Sequence, residues 1–346
     1  MDQRRLAVRH ADSLITRMRW HSRRTRALVV QVGLVVVLAV LVGWLLANTL
    51  ANMRARGIQS GFGFLLDTAG FDIGESLIDF ESEQAYWRAF LVGLLNTLRV
   101  SLTGIVLCTL LGTLVGIGRV SGNALARGLC YAYTELLRNV PILLQLLMWY
   151  VLLVEWMPDA EAPLLGLGGI TLSKGGLSLP WPTWAADAWA SALVWDMPAV
   201  VEGEIRGGLN FSPEFLAVTL GLTLYTSAFV AEVVRSGLQS VARGQIEAAR
   251  SLGLTPWLTL RHVVLPQAMR VIVPPMTNQY LNLTKNSSLA VAIGYPDLVN
   301  ISNTALNQTG RAVECIAIIM AIYLMLSLLT SALMNAYNRR VAIRER

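Results

Sequence analysis

An all-α integral membrane protein is what this sequence predicts, and three observations predict it. Of its 346 residues, 54% are hydrophobic and only 14% are charged, where an average soluble domain carries about 25% charged residues. Apolar runs of about twenty residues, long enough to cross a bilayer as helix, fall at 27–50, 87–117, 128–154, 215–234, 269–293 and 315–336. Arginines gather beside alternate ends of these runs. About six transmembrane helices follow, with both termini on the cytoplasmic side (N-in, C-in).

The first run follows Arg4, Arg5, Arg9, Arg17, Arg19, Arg23, Arg24 and Arg26. These are too many and too early for a cleavable signal, so 1–26 reads as a cytoplasmic tail ahead of an uncleaved anchor. The segment 27–86 adds an acidic outer loop holding Asp67, Asp72, Glu75, Asp79, Glu81 and Glu83, which suits either a soluble partner or plain solvation. Alternation then places Arg119 and Arg127 inside, followed by Arg235, Arg243, Arg250 and Arg261, and last Arg339, Arg340, Arg344 and Arg346. The final basic residues belong to a cytoplasmic tail at 341–346. On the outer side lie 155–213 and 295–311. The former holds Trp156, Trp181, Trp184, Trp189 and Trp195, with Pro180, Pro182, Pro198, Asp187 and Asp196. Tryptophan prefers the headgroup level, so 184–201 reads as a helix in the outer interface in preference to a seventh span.

Several function classes are excluded. The +6 net charge and pI near 9.5 belong to arginines beside spans and form no basic domain, so nucleic acid is not expected. Cys108, Cys130 and Cys315 lie in apolar stretches without metal or redox spacing, and His10, His21 and His262 are scattered. No metal, cofactor or catalytic set is expected, and no Walker sequence is present. Energy for any transport must come from another subunit.

Polar groups in hydrocarbon must face a cavity, a partner or each other. Lys285 stands among Asn278, Gln279, Asn282, Thr284, Asn286, Ser287 and Ser288 in the middle of an apolar region. It offers a donor to an amino-acid carboxylate, or else an ion pair to Glu232 or Glu135. Pro266, Pro274 and Pro275 predict a broken helix here, with pathway and gate at 274–288. Asn96 and Thr97 are the second candidates, Asn139 and Gln145 the third; the alternative for each is interhelical glue worth about 0.6 kcal/mol.

Between two apolar runs, 236–268 contains Gln245-Ile246-Glu247-Ala248-Ala249-Arg250-Ser251-Leu252-Gly253, then Val263, Leu265 and Pro266. Gly253 predicts a left-handed helix stop, and Thr255-Pro256 the cap and first turn of a second helix. Two short helices joined at a glycine make a protruding handle, unless Ile246, Ala249, Trp257, Leu260 and Val264 simply cover the bilayer edge.

That pattern resembles the loop by which permease subunits of ATP-binding cassette importers engage their ATPase, with Val263 where isoleucine is commoner. The resemblance implies an ATPase-coupling set of Gly244, Glu247, Ala248, Ala249, Gly253 and Pro266. It implies that the alanines sit in an ATPase cleft, that Glu247 makes polar contact there and that Gly253 permits the turn. Leu94-Leu95-Asn96-Thr97-Leu98, Glu135-x-x-Arg138-Asn139-x-Pro141-x-x-x-Gln145, 228–235 and Lys285-Asn286-Ser287-Ser288-Leu289 resemble permeases for polar amino acids. The segments 61–65 and 69–78 look like the general L-amino-acid subgroup. Implied are a type I permease core of five helices over 87–340, an extra N-terminal helix and an enlarged outer loop. The implied partners are two ATPase copies, a related second permease, a periplasmic amino-acid-binding protein and membrane lipid, in a bacterial inner membrane. A rival reading is an ion-coupled secondary amino-acid transporter using Glu135, Glu232 and Lys285; it leaves the spacing from Glu247 to Pro266 unexplained.

Overall fold

The computed structural model describes residues 23–55, 57, 60–165, 168–185 and 192–341. The arginine tail up to position 22, with His10 and His21, lies outside the described residues, as do Asp187, Trp189, Arg344 and Arg346. Two compact units are present, Met1–Ser60 and Gly61–Arg346. The first holds α1 (Arg23–Ala55), whose Leu28, Val32 and Trp44 are exposed, as a helix in contact with lipid requires.

The second unit is built on α2 (Tyr86–Arg119), α3 (Ala124–Asn139), α4 (Ile142–Glu155) and α5 (Pro213–Gln239). After these come α6 (Arg243–Ser251), α7 (Pro256–Thr259), α8 (Leu265–Asn286), α9 (Leu298–Thr309) and α10 (Ala312–Val341). The start of α5 follows from sequence: Ser212 Oγ accepts from Phe215 N at 3.0 Å, Pro213 fills the first turn and Glu214 faces the helix dipole.

α5 is the central helix, and α2 packs closely along it. Lipid tails are as apolar as leucine, so helices in a bilayer associate through close packing, which small residues permit. Gly112 and Gly116 supply it. A Cβ at Gly112 would lie 2.8 Å from Ser227 O, and one at Gly116 2.8 Å from Ala231 O. The core continues through Val218, Leu222, Val230, Leu283 and Tyr295. A second cluster gathers Phe64, Tyr86, Phe90, Leu298 and Ile301.

Two expectations, the break inside 269–293 and the helix in the outer insert, meet a different structure. Among the described residues, four helices, α1, α2, α5 and α10, are by length and composition able to cross a membrane, or five if one bent pair counts as a span. The run at 128–154 forms the bent pair, in which α3 and α4 meet at 105°. Pro141 drives Val140 to an extended conformation, φ −96° and ψ 129°, and removes the amide that helix would need.

The helix at 269–293 does not break at Pro274 and Pro275, which lie inside α8. Its irregularities stand at its two ends. A π-turn at Leu260–Val264 precedes Pro266, and Gln267 Nε2 donates to Val263 O at 3.0 Å. A 3-10 turn at Ser287–Ile293 stops at Gly294, φ 81°.

The outer insert is not all-α, and the described parts of 184–201, residues 184–185 and 192–201, hold strands in place of the expected interfacial helix. It contains β1 (Leu164–Leu165), β2 (Thr171–Ser173), β3 (Gly176–Leu179), β4 (Trp181–Ala185), β5 (Ala192–Asp196), β6 (Ala199–Val201), β7 (Glu204–Arg206) and β8 (Leu209–Phe211). An antiparallel sheet of order β1-β2-β3-β8 stands with two hairpins, β4-β5 and β6-β7. Trp181 pairs with Asp196 and Pro182 with Trp195. Tryptophan, valine and threonine favour strands, and in a two-stranded ribbon every strand is an edge, where proline is tolerated.

Candidate functional site

The handle at 243–266 forms as its residues dictate. Leu254 N donates to Ala249 O at 3.1 Å and Gly253 N to Arg250 O at 2.9 Å, the paired bonds of a Schellman stop. Gly253 carries the φ of +77° that this stop demands. Thr255 Oγ1 then accepts from Leu258 N at 3.4 Å and Pro256 opens α7.

One side of α6 is open. Gly244, Glu247, Ala248 and Ser251 are exposed and, at spacings of three and four, share a helix face. Ala249 is 4% exposed and Ile246 packs on the core. The two alanines therefore differ: Ala248 looks outward, whereas Ala249 is enclosed by its own chain. Leu252 and Trp257, 82% and 64% exposed, stand uncovered at the tip, and Pro266 is exposed in the first turn of α8.

The polar candidates fall into two groups. Around the end of α8, Lys285 and Ser288 line a groove of about 480 Å³ with Val299, Tyr323, Leu324 and Ser327. Asn282 and Lys285 are exposed, Asn286 is half-buried and Ser287 is buried. Lys285 has no ion-pair partner among the described residues. Glu232 accepts instead from Arg119 Nη1 at 2.7 Å and from Arg235 Nε at 3.0 Å, so the expected pairing with Lys285 does not form.

Thr97, Ser287 and Asp297 surround the Tyr323 hydroxyl. Thr97 Oγ1 also accepts from Leu298 N at 3.1 Å. Asn96 Nδ2 donates to Glu75 O at 2.8 Å and Pro296 O at 2.9 Å, joining the 61–85 segment, α2 and the start of α9. Asn139 and Gln145 stand apart from this group at the bend. Gln145 Nε2 donates to Leu137 O at 2.8 Å and Val140 O at 2.9 Å, which satisfies carbonyls that the break sets free. Asn139 is exposed, with Nδ2 on Glu135 O at 2.7 Å.

Arg99 is the residue that sequence reasoning missed. It lies inside apolar α2, ion-paired with Glu75 and 4.4 Å above the Phe215 ring. Glu75 also accepts from Ser212, so one carboxylate joins α2 to the cap of α5. Glu75 and Ser212 line a cavity of about 430 Å³ together with Asp72, Glu214, Asn300 and Thr304. The signal was present, since a charge within an apolar run marks a partner or a path, at Arg99 as at Lys285. Asp297, 1% exposed, caps α9 through Asn300 N at 2.9 Å, and burial raises its carboxyl to about 7.

A family model described as "Binding-protein-dependent transport system inner membrane component" matches residues 108–343, which spans the handle, the bend and the Lys285 groove. The chain belongs to this family of permeases. The permease is a transport component and not an enzyme. It is 44% identical to the putative amino-acid ABC transporter permease protein YhdX of Escherichia coli K12, over 93% of this chain and 95% of that protein. It is 38% identical to the general L-amino acid transport system permease protein AapQ of Rhizobium johnstonii, over 97% of each. A crystal structure described as an amino acid ABC transporter with histidines matches the permease with a TM-score of 0.54 at 28% identity, over 74% of this chain and 95% of that one. The fold is therefore the type I ABC importer permease fold, carrying the strand-built outer insert.

Proposed function

We propose that this permease is one subunit of an ATP-driven amino-acid importer in a bacterial inner membrane, with its N- and C-termini inside. A binding protein delivers an amino acid to the outer face. Two copies of a separate ATPase then close on ATP and move the handle, and hydrolysis returns it. This chain converts that motion into alternating access, together with a second, related permease.

The observation that carries the reading is the open face of α6. Gly244, Glu247 and Ala248 face outward on a nine-residue helix whose end is fixed by Gly253, beside the uncovered Leu252 and Trp257. Small residues let a partner backbone approach, and the exposed apolar pair supplies contact area. Asn282, Lys285, Asn286 and Ser288 take the amino acid's carboxylate and polar atoms along the path. Asn96, Thr97, Asn139, Gln145 and Ser287 hold the walls through the backbone carbonyls and amides they bond. The relatives' names supply the amino-acid class. Glu232, held between Arg119 and Arg235, is not free to carry a coupling proton, so nothing specific favours an ion-driven mechanism.

Purification of the tagged chain from its own cells in mild detergent, with mass spectrometry of what accompanies it, tests the assembly. An ATPase and a second permease are expected. Recovery of the chain alone, with amino-acid uptake that persists after deletion of the ATPase gene, would refute it.

A further inference from the structure

At the end of α2 and the start of α3, three arginines and a tyrosine line a pocket that shares no residue with the handle or the Lys285 groove. It measures about 340 Å³ and is lined by Arg119, Arg127, Tyr131, Arg235, Gln239 and the first turn of α3 at Ala124 and Gly128. Glu232 is the acid in contact with this group, on Arg119 and Arg235. Three guanidinium charges against one carboxylate leave an excess of positive charge. Arg119 forms the floor; its side chain is only 10% exposed and its guanidinium lies 5.2 Å above the Tyr131 ring. Arg127 forms the rim, exposed, with Nη1 on Ser121 O at 3.1 Å. The pocket also receives the positive end of the 16-residue helix α3, which adds to the attraction for an anion.

We infer that this pocket binds the headgroup of an anionic phospholipid. Phosphate is the chemistry that a planar guanidinium set recognises by paired N–H donation. Free phosphate shares that chemistry, but two features favour a lipid. The pocket sits where the apolar helix α2 ends at Arg119 and where the last turns of α5 carry Arg235, the level of a leaflet's headgroups. Leu125 and Leu129 of α3, 71% and 63% exposed, continue from its rim as a surface for acyl chains. The inference needs only that α2 and α5 end at a leaflet, so it stands or falls separately from coupling to an ATPase.

The test is native mass spectrometry of the purified chain exchanged into micelles with phosphatidylglycerol, with phosphatidylcholine, and with phosphatidylglycerol plus inorganic phosphate. The wild type should retain phosphatidylglycerol in preference to phosphatidylcholine and keep it in millimolar phosphate. Arg127→Gln, a change at the exposed rim that leaves the Glu232 pair intact, should weaken retention about fivefold, the effect of removing one basic residue beside an anionic headgroup. Arg119→Gln should weaken it further, and agreement of the two variants guards against a folding effect in either. Equal retention of the two lipids, or retention unchanged in Arg127→Gln, would overturn the inference. Complete displacement by inorganic phosphate would assign the pocket to the free ion and overturn it as well.

Discussion

A Cβ placed on Gly112 would lie 2.6 Å from Cβ of Val230, so the axis distance between α2 and α5 is set by the absence of one side chain. Replacing Gly112 by Val forces the two central helices apart. Overpacking of this kind costs about 1–3 kcal/mol, and Gly112→Val should lower the melting temperature in detergent, with Val230→Ala restoring part of the loss. An unchanged melting temperature would show that the helices are not in contact there.

Gln145 bridges the bend between α3 and α4. In Gln145→Leu the carbonyls of Leu137 and Val140 lose their donor, and an unsatisfied buried group costs about 1–3 kcal/mol. The variant should be less stable, with faster hydrogen exchange at 137–145 and little change elsewhere. Gln145→Glu, which keeps the length but not the donor, should resemble it.

Both features separate what the sequence shows from what it hides. The stop at Gly253 and the cap at Thr255 are local events decided by one residue's backbone or side chain, and both were legible. Pro141 was legible as a helix breaker too, yet hydropathy averaged across it merged α3 and α4 into one span. At Pro274 and Pro275 the reverse held: both stand inside α8 and the irregularities lie at its ends. The strands at 181–185 and 192–196 have the composition of an interfacial helix, and their antiparallel pairing is a relation between segments that no single window contains. Arg99 was overlooked because its partners, Glu75 and Phe215, are distant in sequence.

Asp297 gives a pH dependence. Its carboxyl is raised by burial from 3.8 to about 7, so the folded state keeps the proton after the unfolded chain has released it. The stabilisation is fully present below about pH 3.8 and is lost as pH rises toward 7. The melting temperature should fall between pH 5 and pH 8. Asn caps a helix as well as Asp does, so Asp297→Asn should remove most of that slope, and an equal slope in both proteins would contradict the assignment.

In the proposed function, Lys285 is assigned to the substrate carboxylate. With no ion-pair partner to lose among the described residues, Lys285→Met should change the unfolding free energy by no more than about 0.5 kcal/mol, as for surface changes. Uptake should weaken by roughly tenfold, about 1.4 kcal/mol, and an amino acid with an amidated carboxyl should show no such loss. Normal uptake in Lys285→Met would remove it from the path.

The handle bears the central claim, that an ATPase docks on the face containing Glu247 and Ala248. The decisive measurement is the ATPase recovered per mole of tagged chain, wild type against Glu247→Arg, with both permeases monodisperse in detergent. Charge reversal at an exposed position leaves the fold intact, so the second permease should be retained while recovered ATPase falls by roughly tenfold or more, about 1.4 kcal/mol of docking energy. Equal recovery of the ATPase with both proteins would contradict the account.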